Sequence, residues 1–517
     1  MLNHKKIAFY IFYLGLYGLS ISIPVSKFGT SVGLILISFS WFLEWNWREK
    51  IKLLKKNKLL LTLSCSLFLI FVLGLFHSEN TAYALKDLKI KAPILILPII
   101  FGLSEIKLER KKIITAITLF GASGITASII GFVLYHLRLQ EGEVVNLRAM
   151  SPFISMIRLS LILCFTFGFL LWAINNLFTK WKWLLLIPSV WIVYYLVSAE
   201  SLTGILLLPI VFTYFLFFLF KRNLKLAMAL ITVLIGLFIW VGFELNDIRV
   251  MIFKNHNSEL MHQTLNGRYY SHNLKATFRE NGYLVFDNFS KEELEKEWNK
   301  RSEKKYKESF NEYKYSSILM RYLSSKGLTK DSVGVSKLSD LEIEAIEKGV
   351  TNVYYVNRNP IFKRLHVGVM EIKDAIENNR YEGRSIASRF MYATTGIQIF
   401  KENFWIGVGT GDVKDEFLKK YSESSLFKKG CDKKSHNQYI TIALSLGVFG
   451  FLTFTGALIL LLKKYSGTIK YLFILSQIIL LLSMIWEDTI ETQAGATIFS
   501  LLLNVFLFED KAQPNQS

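Results

Sequence analysis

Nine apolar runs crowd the first half of the sequence and three more close it, most of them about 17 to 25 residues long. They lie near residues 7–24, 28–45, 58–76, 90–104, 113–135, 152–175, 183–199, 201–220, 225–244, 437–462, 470–486 and 490–508. In hydrocarbon a backbone has no water to bond to, so runs of this length are stable only as helices that satisfy themselves internally. The expected fold class is therefore an all-α polytopic membrane protein with about 12 transmembrane helices. The fourth run is the least regular, because Pro93 and Pro98 interrupt it. A hydrophobic content of 52% over 517 residues excludes an ordinary soluble domain.

Charge orients the chain. A net charge of +20 raises the question of nucleic acid, but short cytoplasmic loops of membrane proteins are themselves rich in Lys and Arg. With the N-terminus inside, every second connection (WNWREKIKLLKKNK, SEIKLERKK, NNLFTKWK, KRNLK, KKYSGTIK) is basic, so positive-inside topology accounts for much of the excess without nucleic acid. The first run follows MLNHKK with no small-residue cleavage site after it, and is read as a retained helix. This divides the chain into helices 1 to 9 (residues 1–244), a large loop outside the cytoplasm (245–436), helices 10 to 12 (437–508) and a short disordered cytoplasmic tail (509–517).

The loop still counts roughly +7, which the positive-inside rule does not explain on the outer side. An anionic ligand would. Ser290 with Glu293, and Ser339 with Glu342, have the spacing of capping boxes, so the loop is expected to be helical. Its most charged piece, KEELEKEWNKRSEKKYKESFNEYKY, reads as a solvated helix. The three cysteines, Cys65, Cys164 and Cys431, build neither a disulfide framework nor a metal cluster, and no cofactor is expected.

The residues that could carry chemistry gather between Gly383 and Gly450 and at the outer ends of a few runs. His436 precedes the tenth run and could act as a base or donate to phosphate; an interfacial helix-ending residue is the plain alternative. Arg389, on an apolar-striped helix, could hold a pyrophosphate through paired N–H groups, and Arg384 is a second candidate. A surface arginine on an amphipathic helix is the common alternative. Arg158 lies inside the sixth run, about two turns from its outer end, where a charge costs on the order of 2.5 to 3.5 kcal/mol at the bilayer centre unless it snorkels. Lys89 and Lys91 end the fourth run on the same side and could complete a cationic pocket for a lipid-linked pyrophosphate. The turn GVGTGD (Gly407 to Asp412) lacks the G-x-G-x-x-G spacing and reads as a tight turn rather than a phosphate cradle. WEDTIETQAG brings Glu487, Asp488 and Glu491 to the outer face, as bases or as counter-ions.

In SIASRFMYATTGIQIFKENFWIGVGTGD, SHNQYITIALSLGVFG, SSILMRYLSSKGLTKDSVGV, PFISMIRLSL and EDTIETQAG the chain resembles the O-antigen ligase and O-antigen polymerase superfamily. The resemblance implies a C-type glycosyltransferase architecture, a helical bundle with a helical periplasmic loop, in a bacterial inner membrane. It implies transfer of a glycan from undecaprenyl pyrophosphate to lipid A core, or to another glycan in a polymerase, without a metal. The family's loop arginine corresponds to Arg389 and its loop histidine to His436. Where many relatives carry Ser-Arg, this chain reads SAESLTG, with Leu202 in the arginine's place, and Arg158 is expected to supply that charge. A transporter of lipid-linked substrates would also want twelve helices, but it usually shows related halves, and no such pairing is present. A receptor or scaffold remains the third reading.

Overall fold

The computed structural model describes residues 2–141, 146–176, 180–256, 259–310, 313–379, 381, 384–423 and 431–510. Each of the twelve apolar runs is helical. Among the described residues six helices are long and apolar enough to cross a membrane by length and composition: Trp47–Leu75, Arg110–Gln140, Met156–Asn176, Leu202–Phe220, Leu224–Phe253 and Gln438–Lys464. Lys27–Leu43, Pro93–Leu103, Lys182–Ser198, Lys470–Trp486 and Gln493–Leu507 are shorter apolar helices. The fourth run is split as its prolines demand. A polar helix, Thr81–Lys91, ends there, and Pro93 opens the next at a position where its missing N–H costs nothing.

The chain folds into two compact units, one made of Met1–Ile231 with Ala387–Ser517, the other of Thr232–Ile386. In the first, Met156–Asn176 is the best buried of these six long helices, surrounded by apolar neighbours along most of its length. Its start differs from expectation. Residues 151–155 are not helical, so Arg158 sits in the first turn rather than two turns deep, where its charge is far cheaper to keep.

The second unit is mostly helical but is not purely α. Two small antiparallel pairs, Arg279–Glu280 with Tyr283–Leu284 and Ser309–Phe310 with Tyr313–Lys314, interrupt the helices. The charged piece expected as one solvated helix is instead Lys291–Arg301 followed by the second pair. The helix buries Leu294 and Trp298 in the unit's core against Leu319, Tyr322 and Ile346. Ser339 and Glu342 do form a capping box. Ser290 and Glu293 do not, because the Glu293 carboxylate is taken by Thr264, Asn266 and Ser332. The tail's last residues, 511–517, lie outside the described residues.

Candidate active site

The loop between helices Lys470–Trp486 and Gln493–Leu507 is the hub of the site. Of its three acidic side chains Glu487 and Asp488 are buried and Glu491 is nearly so, and each answers to a different set of partners. A buried carboxylate is tolerated only when paired or hydrogen-bonded, so these partners define what each can do.

Glu487 faces two of the candidates. Arg389, a turn into the helix Ser385–Glu402, donates Nη2 to its Oε1 at 2.5 Å. Its other oxygen, Oε2, lies 3.8 Å from Nδ1 of His436. That ring nitrogen is buried and makes no hydrogen bond to a described residue. The imidazole also lies beside the Tyr392 ring, with centroids 5.6 Å apart.

Asp488 is fully engaged. Oδ1 accepts from the Thr441 hydroxyl at 2.7 Å, and Oδ2 accepts from the His436 backbone N–H at 3.1 Å. Burial, with Glu491 nearby, pushes its carboxyl above the usual range. His436 has a left-handed backbone, φ 49°, which turns its amide to Asp488 while Asn437 caps the following helix through Ile440 N–H. Arg158 reaches the same loop and donates Nη2 to the Asp488 carbonyl at 3.2 Å.

Glu491 closes a quartet in which Asp87 and Lys91 are buried and Lys434 is partly exposed. Lys91 Nζ lies 2.8 Å from Oε1, and Lys434 Nζ donates to Oε2 at 2.8 Å. Lys91 also donates to Asp87 at 2.5 Å, and Gln438 adds a contact to Glu491 at 3.2 Å. Burial alone would lower the Lys434 ammonium pKa, but Glu491 and Asp87 hold it well above its usual value.

The structure therefore brings Arg389, His436, Glu487, Asp488 and Arg158 together, with Lys91 and Glu491 in the adjoining quartet. Lys89 is exposed on the same short helix as Lys91 and has no place in the quartet. Arg384 belongs to the other unit, where it pairs with Asp374. Sequence reasoning missed Lys434, Asp87 and Thr441. The Asp87–Lys91 spacing of four on one helix was a usable signal. Lys434, inside the lysine pairs around Asp432, was not.

Residues 352–455 match the family model described as O-antigen ligase. The chain carries an O-antigen ligase-like segment. That segment holds Arg389 and His436, the two residues that the superfamily resemblance singled out, together with Lys434 and Thr441. No curated protein matches the chain. The GVGTGD turn of the ligase-like segment is used by the protein itself. Both Asp412 oxygens accept backbone N–H groups, from Asn80 at 2.7 Å and Glu79 at 2.8 Å, ahead of the helix that carries Lys91. The tight-turn reading describes it well, with Gly407 and Gly409 at positive φ. Among the described residues no group of three or more His, Cys, Asp and Glu side chains is placed to hold a metal ion.

Proposed function

We propose that the protein is a membrane glycosyltransferase of the O-antigen ligase type, moving a glycan from undecaprenyl pyrophosphate onto lipid A core, with a glycan acceptor, as in a polymerase, the second reading. The observation that carries it is the convergence of Arg389, Arg158 and an unpartnered His436 nitrogen on one buried acidic loop, two of the three within the ligase-like segment. Arg389 and Arg158 supply N–H groups for the pyrophosphate, whose negative charge grows as the sugar C1–O bond breaks. The acceptor hydroxyl attacks C1 as that bond opens, and its proton passes to the His436 imidazole at Nε2, while Nδ1 faces Glu487.

The neighbouring carboxylates are poorly suited to be that base. Asp488 accepts two hydrogen bonds, Glu491 is held by two lysines, and Glu487 is held by Arg389. Glu487 instead stabilises the imidazolium that forms. Lys91, with Glu491, sets the position of the loop. The large loop is placed in the periplasm in this reading, and the bundle in the inner membrane.

The test is transfer from a purified lipid-linked glycan to lipid A core in proteoliposomes. Arg389→Ala and His436→Ala are each expected to reduce transfer by on the order of 10²-fold or more. Wild-type rates in both would overturn the reading. Lipopolysaccharide banding in a deletion strain separates the two acceptors: loss of all long-chain material indicates ligase, a single-repeat band polymerase.

A further inference from the structure

Between the helix Ser385–Glu402 and the helix that begins at Val413, residues 403–412 are irregular backbone lying against two apolar helices. Five consecutive amides there are satisfied one by one. Gly407 N–H donates to Asn403 O at 3.0 Å, Val408 to Leu444 O at 2.9 Å, Gly409 to Ser445 O at 2.9 Å and Thr410 to Gly74 O at 3.2 Å. Gly411 N–H donates to the Ser78 hydroxyl at 2.9 Å, and the Thr410 hydroxyl to Phe71 O at 2.7 Å. The helix Gln438–Lys464 is broken at Gly447 to receive the turn, and its freed Val448 N–H donates to Phe404 O at 2.8 Å.

Depth follows from the helices it grips. Lys463 and Lys464 mark one boundary of the helix Gln438–Lys464. At ~1.5 Å per residue, an apolar layer ~30 Å thick measured from Lys463 extends to about Ala443. Leu444, Ser445 and Val448 fall inside it. The helix Trp47–Leu75 agrees, since Phe71 and Gly74 stand ~20 to 24 Å along from Lys58. Irregular backbone at such depth survives only with its polar groups internally satisfied, which is what the five amides show. At the head of this turn three large apolar side chains point outward: Phe404, Trp405 and Ile406 are 41%, 63% and 61% exposed. Trp405 stacks on Phe449, itself 59% exposed on the adjoining helix, with ring centroids 5.7 Å apart. The patch thus continues that helix's own outward apolar face.

We propose that residues 403–412 form a re-entrant turn and that Phe404, Trp405 and Ile406 are seated among the lipid acyl chains of the bilayer. The turn then fixes the depth of the helix carrying Arg389. The seating holds whether or not the protein transfers glycans.

Spin labels test it in the full chain reconstituted in phosphatidylcholine and phosphatidylglycerol vesicles, with Cys65 and Cys431 replaced by serine and Cys164 left fully buried. Labels at Trp405→Cys and Ile406→Cys are expected to collide more with oxygen, which concentrates in acyl chains, than with a water-soluble nickel chelate. A label at Lys401→Cys, on the exposed face of the preceding helix, is expected to show the reverse. Nickel accessibility at 405 equal to that at 401 overturns the proposal, as does shielding of 405 from both reagents, which indicates a protein partner. If the labelled chains misfold, quenching by dibrominated lipid decides: Trp405→Phe keeps the ring on Phe449 and is expected to remove a lipid-quenched part of the tryptophan emission. An unchanged quenchable fraction overturns the seating.

Discussion

Glu487 is shared between Arg389 and His436: one oxygen accepts from the guanidinium at 2.5 Å, and the other faces the imidazole Nδ1 at 3.8 Å. A single carboxylate thus links the cation proposed for the departing pyrophosphate to the group proposed for the proton. Glu487→Gln keeps the shape and removes the charge. Turnover should fall on the order of 10- to 100-fold, part of what a positioned acid–base group supplies, with acceptor KM little changed. Single-turnover transfer in proteoliposomes measures it.

The quartet of Asp87, Lys91, Lys434 and Glu491 is balanced only as a whole. Glu491→Gln leaves two ammonium groups, one of them on the buried Lys91, facing one carboxylate, and should cost up to about 3 to 5 kcal/mol. Replacing all four by apolar residues of similar size (Asp87→Leu, Lys91→Met, Lys434→Met, Glu491→Leu) should recover most of that loss. Thermal unfolding of the variants in one detergent makes the comparison.

Gly447 has φ 65°, and a Cβ there would stand 2.2 Å from the Trp405 carbonyl oxygen. Gly447→Ala should therefore destabilise by at least about 1 to 3 kcal/mol, the cost of a strained backbone before the clash is added. Gly456→Ala, in the same helix with nothing within 4 Å of its Cβ, should be neutral or stabilising. Melting temperatures of the two variants separate packing from helix propensity.

Burial lowers the pKa of His366, in the second unit, from 6.5 to about 4, and the side chain bonds Tyr355 and Asn281 at 3.1 Å each. Above pH 6.5 the ring is neutral both folded and unfolded. As pH falls from 6.5 to 4, the unfolded chain binds a proton that the folded chain does not, so stability drops by up to about 3 kcal/mol. Hydrogen-exchange protection of the helix Pro360–Asn378 should weaken over that window in the full chain, and Glu or Gln at 366 should change the slope.

Much of this was legible in the residues because it depends on local pattern. Each apolar run is a helix, and Ser339 with Glu342 forms its box, since both outcomes need only neighbours in sequence. Where a distant group competes, the pattern misled. Glu293 had the right spacing from Ser290 but found three better donors, Thr264, Asn266 and Ser332, brought in by the fold. The site divides the same way. Arg389, His436 and the acidic loop stood out as charges beside apolar runs. Their pairings, across 98 residues for Arg389 with Glu487 and 57 for Lys434 with Glu491, depend on helix packing that periodicity does not encode.

The left-handed backbone of His436 also limits which amino acids the position admits. At φ 49° a β-branched residue is strained, whereas Asn, Asp and Gly are at ease. Substitution tolerance at 436 is therefore a two-part code: asparagine or glycine preserves the fold and deletes the ring, while valine or isoleucine disturbs the amide bond to Asp488 as well. The first pair isolates what the imidazole does from what the turn does.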